Sequence, residues 1–170
     1  MLNEIISGHD FNQEMNNAIA IAHSTFEQLG VPTLKNITSI EFNHRFQKRA
    51  GDARFARQIG RIRLGAKYFS VASEYDKMET VIHEACHIAN SYLYFKDSDW
   101  RQFHYDFKQE KATKGHGPGW AKLMGKMGLP ANRFHCMDTV QFKTYYKYSC
   151  PCGEWSFNFT AQRAGRQKNG

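Results

Sequence analysis

The chain has little cysteine, little proline and a shortage of acid. Its 170 residues include four cysteines and four prolines. The cysteines stand at 86, 136, 150 and 152, with no spacing that builds a disulfide framework. That argues against a disulfide-held secreted scaffold and for a reducing compartment. No apolar run approaches the roughly 20 residues that a membrane-spanning helix needs. The start, Met1-Leu2-Asn3-Glu4-Ile5-Ile6, lacks a basic segment and a long apolar stretch, so neither a secretory leader nor a membrane span is expected. Repeats, low-complexity tracts and an interior linker are missing too. What is present suits one packed globular domain: 41% apolar and 14% aromatic residues. Lys and Arg number 23 against 16 Asp and Glu, giving a net charge of +7 and a pI near 9.3. A polyanionic partner fits that balance.

Against this background one short run stands out, His83-Glu84-Ala85-Cys86-His87, an H-E-x-x-H motif. Residues four apart on an α-helix project from nearly the same face, one turn apart. His83 and His87 can therefore grip one metal ion, and Glu84 beside them can reach a water. In a chain of this composition chance supplies such a run only roughly 0.02 times. A helical context is expected around it, with Ser73 and Asp76 as its start. Met78, Val81, Ile82, Ala85, Ile88, Ala89 and Tyr92 form its buried stripe, with His83, Glu84 and His87 on the opposite side.

A catalytic zinc takes three protein ligands and keeps one position open. The residues after the motif, Ile88-Ala89-Asn90-Ser91-Tyr92, exclude the metzincin spacing. Candidates for the third ligand are His104, Glu110, His116 and His135, and His116 is preferred. It sits in Gly115-His116-Gly117-Pro118-Gly119-Trp120, where glycines permit close approach and Pro118 suits the first turn of a helix ending near Gly128. His104 and Glu110 belong to a separate amphipathic segment, roughly 98–114.

Elsewhere the pattern predicts an α+β fold. A first helix is capped by Asp10 with Gln13, carries the stripe Phe11, Met15, Ala18, Ala22, Phe26 and Leu29, and ends at Gly30. Strands are expected over Ile37–Phe42, Ala53–Ile59 and Arg61–Leu64, with turns at Gly51-Asp52 and Gly60, as a small antiparallel meander leading into the motif helix. A final hairpin pairs Tyr145–Ser149 with Trp155–Thr160, and a basic tail follows.

These residues resemble the SprT-like metalloproteases, the group of bacterial SprT and eukaryotic Spartan proteins. Three blocks carry the likeness: Asn43-His44-Arg45-Phe46 through Gly51-Asp52-Ala53-Arg54 and Gly60-Arg61-Ile62-Arg63-Leu64; the H-E-x-x-H run; and Gly115 to Trp120. The resemblance implies a zincin-like protease domain over about 1–142, with one zinc ion on His83, His87 and His116 and Glu84 as the catalytic base. It also implies protein substrates associated with DNA, a role in repair of DNA–protein crosslinks, and a cytoplasmic or nucleoid-associated location (nuclear in a eukaryote). In that chemistry Glu84 takes a proton from the attacking water and passes it to the leaving amine.

The C-terminal part, 143–170, departs from the family pattern. Cys150-Pro151-Cys152 looks like the first pair of a zinc ribbon tightened to C-x-C, and no second pair follows before Gly170. Either the ribbon is truncated or it has degenerated; Cys150 and Cys152 are at most half of a second metal site. Cys86 and Cys136 read as small buried apolar residues. Candidate DNA contacts are Arg45 and Arg49 in one basic group, and Lys143, Lys147, Tyr148 and Trp155 in another, where rings beside cations suit stacking on single-stranded bases. The competing reading is a non-catalytic zinc-containing nucleic-acid-binding protein. Glu84 favours the enzyme, because a structural site has no use for it.

Overall fold

The computed structural model describes the backbone of residues 10–106, 115–131, 145–149 and 156–160, and side chains over 10–102 and 115–131. The chain divides into two compact units, Met1–Met137 and Asp138–Gly170.

The first unit opens with helix α1, Phe11–Gln28. The Asp10 carboxylate accepts hydrogen bonds from the backbone N–H groups of Asn12 and Gln13 at 3.0 and 3.1 Å, satisfying two donors that a helix start leaves without partners. Ala18, Ala22 and Phe26 bury its apolar stripe, and Gly30, at φ 77°, ends it. A single turn, α2 (Leu34–Ile37), leads into β1 (Thr38–Asn43), then β2 (Gly51–Ala56) and β3 (Ile59–Gly65).

The sheet is mixed, with order β1-β3-β2; β3 runs parallel to β1 and antiparallel to β2. The expected antiparallel meander is thereby corrected. Burial explains the order. Strand β3 carries Ile62 and Leu64, both fully buried, and takes the centre, while the half-exposed β1 and β2 take the edges. The strand limits shift as well. The β2–β3 turn is made by Arg57 and Gln58, at φ 52° and 62°, and not by a glycine. Gly60, read as a turn signal, lies inside β3, where an added Cβ would fall 2.5 Å from Thr38 Oγ1. It marks close approach of neighbouring strands.

After a short turn, α3 (Ala66–Phe69), comes helix α4, Glu74–Lys96. Ser73 caps it, its hydroxyl accepting from the Asp76 N–H at 3.2 Å. Helix α4 is the centre of the unit and packs against α1, β2, β3, α5 (Ser98–Asp106) and α6 (Pro118–Lys126). Most of the expected stripe is buried: Val81, Ala85, Ile88 and Ala89 are fully inside and Ile82 nearly so, while Met78 and Tyr92 at its ends are half-buried. The opposite side is not open, however. His83 and Glu84 are each 5% exposed, because α6 and β2 cover that side too. Helix α6 begins with Pro118 in its first turn and is followed by Gly128 at φ 70°.

In the second unit β4 (Tyr145–Ser149) and β5 (Ser156–Thr160) pair antiparallel, with Tyr145 opposite Thr160. Among the described residues no helix is long and apolar enough to cross a membrane.

Candidate metal centre

Two helices bring the three histidines together. His83 and His87 lie one turn apart on α4, and His116 stands just before α6. The Nε2 atoms converge: His83 to His87 is 3.2 Å and His83 to His116 is 2.9 Å. All three residues offer ligand nitrogens within 4.8 Å of one another. A tetrahedral zinc with bonds of about 2.0–2.1 Å needs its nitrogens about 3.3 Å apart, so the set fits an ion of that kind. The chemistry agrees. Each neutral imidazole has one bare ring nitrogen, and several meeting at one point call for a shared proton or cation. Burial, then the neighbouring His116, pushes the His87 imidazole down to about 4, which keeps it in the neutral, ligating form at neutral pH.

Trp120 holds the arrangement. Fully buried on α6, it stands with its ring centroid 4.7 Å from His83, 5.4 Å from His87 and 4.5 Å from His116. It stacks on His87, with 18° between the ring planes, and meets the other two edge-on. Its indole N–H donates to the His83 carbonyl at 3.3 Å, fastening α6 to α4. The sequence put Trp120 in the same Gly-rich block as His116; its contact with all three imidazoles was missed, although that shared block is a usable signal.

Glu84 is enclosed beside β2. Burial, with Asp52 adding to it, pushes its carboxyl up to about 8. Asp52 itself is held by Arg63, whose Nε donates at 2.8 Å, and has Arg49 at 3.8 Å. Arg63 also lies 5.2 Å from the centre of the Phe46 ring. These β2 neighbours of Glu84 were likewise not anticipated, because Gly51-Asp52 reads as a turn.

Other expected residues stand apart from this cluster or beyond description. Cys86 is fully buried with a free thiol that burial pushes up to about 12, so it is inert packing. Arg45 and Arg49 are exposed. Lys147 and Tyr148 lie on β4, their side chains outside the described residues; Lys143, Cys136, Cys150, Cys152 and Trp155 lie outside them altogether, as do Glu110 and His135. His104 is on α5, its side chain not described.

The fold and site thus define an α+β domain with a three-histidine candidate metal centre built on an H-E-x-x-H helix. The model of the SprT-like family matches residues 19–144, and the chain belongs to that family. Its relatives include Protein SprT of Pseudomonas fluorescens, 28% identical over 154 residues, covering 89% of this chain and 80% of that protein. Protein SprT of Pseudomonas putida is 32% identical over 126 residues, covering 73% of this chain and 66% of the relative. Protein SprT of Pseudomonas entomophila is 36% identical over 87 residues, covering 50% and 44%.

Proposed function

We propose that the chain is a zinc-dependent endopeptidase acting on DNA-associated proteins, in repair of DNA–protein crosslinks. The observation that carries the peptidase reading is the convergence of three imidazole nitrogens one residue from a buried carboxylate. His83, His87 and His116 would hold the ion. When bound, zinc supplies Lewis-acid polarisation of the scissile carbonyl and acidifies water. The rest belongs to the chain. Glu84 accepts the proton of the attacking water and delivers it to the leaving amine. A divalent cation nearby favours its charged form, against the burial that opposes it. The covering elements α6 and β2 limit water around the carboxylate, which strengthens its interactions. A non-catalytic zinc protein would bury Glu84 at a desolvation cost and gain nothing from it.

DNA is the proposed partner first on the SprT-like resemblance, with the charge of the chain as further support. Besides the net +7, Arg54 and Arg61 stand directly opposite each other in the β2/β3 register. Like charges in that position oppose sheet pairing, and neither arginine is assigned an ion pair among the described residues. Phosphates would offset their repulsion.

The test pairs zinc analysis with a proteolysis assay, with and without single-stranded DNA. Glu84→Gln should keep the fold and the zinc while cleavage falls on the order of 10²–10⁴-fold. Wild-type cleavage by Glu84→Gln sinks the mechanism. DNA binding should weaken steeply with salt as counterions are released; no binding at low salt removes DNA from the reading and leaves a peptidase with another target.

A further inference from the structure

The start of β2 presses on the Glu84 side chain. A methyl group built on Gly51 would lie 2.9 Å from Glu84 Cγ, 3.0 Å from Glu84 Oε1 and 3.3 Å from the Arg63 carbonyl oxygen. Real Cβ atoms essentially never approach below 3.0 Å, so something must move. The Arg63 carbonyl belongs to the central strand and is fixed by the sheet. The Glu84 side chain has rotatable bonds and is the part that gives. Gly51 is not among the glycines with positive φ, so alanine fits its backbone without strain.

The strand cannot easily retreat. The Ala50 carbonyl accepts from the Gly65 N–H at 2.7 Å. An added Cβ on Gly65 would fall 2.3 Å from the Arg49 carbonyl oxygen, so this stretch is packed against β3. One residue on, Asp52 is gripped by Arg63. Ala50 and Asp52, on either side of Gly51, are thus tied to β3.

We propose that Gly51 is a positioning residue for Glu84. The missing side chain shapes the slot in which the carboxylate lies, and the anchored strand start fixes that slot. The functional half of this inference rests on the reading of Glu84 as general base.

The experiment is a double-mutant cycle on the full chain: wild type, Gly51→Ala, Glu84→Ala and the double variant. Thermal unfolding is measured on the zinc-loaded chain, then zinc content and cleavage kinetics. Gly51→Ala should lower the unfolding midpoint by about 4 °C. In the Glu84→Ala background the shift should shrink to about 1 °C or less, because the colliding side chain is gone. Zinc content should not change. In Gly51→Ala, kcat should fall on the order of 100-fold with KM within about twofold, the signature of a misplaced group that acts in the transition state. Folding of Gly51→Ala only when Glu84→Ala accompanies it equally supports the contact. Equal destabilisation in both backgrounds, failure to fold in both, or wild-type kcat in Gly51→Ala overturns the proposal. Glu84→Gln in the otherwise unaltered chain separates the two levels: if it cleaves normally, the general-base reading fails, while the stability cycle still decides whether Gly51 fixes Glu84.

Discussion

Helices α1 and α4 pack together and treat their polar faces in opposite ways. On α1, Asn12, Gln13, Asn16 and Asn17 are exposed, and Gln13 bonds Asn17 one turn on at 3.0 Å. Water could replace that bond at little cost. On α4 the face opposite the apolar stripe is covered, and His83, Glu84 and Asn90 are inside. Buried polar groups are costly unless paired. Asn90 meets the need by accepting from the Trp100 indole N–H at 3.1 Å. The three histidines form a set that could hold a cation, with Glu84 buried beside them. Apolar periodicity alone makes the two helices look alike; the polar residues beneath a covered face separate them.

The contrast can be broken most severely at the third ligand. His116→Ala should abolish cleavage and lower zinc affinity by more than the roughly 10–100-fold brought by losing an outer hydrogen-bond partner; competition with a chelator measures it. Trp120→Ala removes the shared wall of the three imidazoles. It should cost about 3–5 kcal/mol in denaturant unfolding and weaken zinc binding, although Trp120 is no ligand.

Where α4 meets α1, a milder effect is expected. Lys77 donates to Glu14 on α1 and to Glu74 at 2.7 Å. Burial works against its charge, but the two carboxylates more than offset this, and its pKa is raised from 10.5. A raised folded-state pKa means stability that is complete below 10.5 and lost as pH rises through the folded value. Lys77→Met should therefore cost about 1–3 kcal/mol at pH 7, and the gap to wild type should close in alkaline unfolding series. A constant gap would show that packing, not charge, holds Lys77. Smallest of all, Gln13→Ala on the open face of α1 should change stability by less than about 0.5 kcal/mol.

Much of this was readable in the chain. Asp10, Ser73 and Pro118 each mark a helix start that the structure keeps, and Gly30 and Gly128 mark stops. These signals are local: the chemistry of a cap acts within one turn. The three histidines were legible because helical spacing sets two of them and the Gly-rich approach suits the third. Strand order was not legible, since alternation reports which face is buried and says nothing of which strand lies alongside. Gly51 and Gly60 misled for a related reason. Glycine serves both turns and tight packing, and only the neighbour's position distinguishes the two uses. The covering of Glu84 by β2 depends on that same pairing and was hidden with it.

The indole bond from Trp120 to the His83 carbonyl has a topological consequence. His83 and His116 stand 33 residues apart along the chain. A partly folded chain offers a two-histidine pair on one helix, whereas the three-histidine set exists once that long loop has closed. An ion held there is a cross-link, and closing a loop of this size with a disulfide is worth about 3–4 kcal/mol of unfolded-chain entropy. Ion retention and native closure are then one linked equilibrium, so a chelator that silences the site should also lower the temperature at which the whole unit opens.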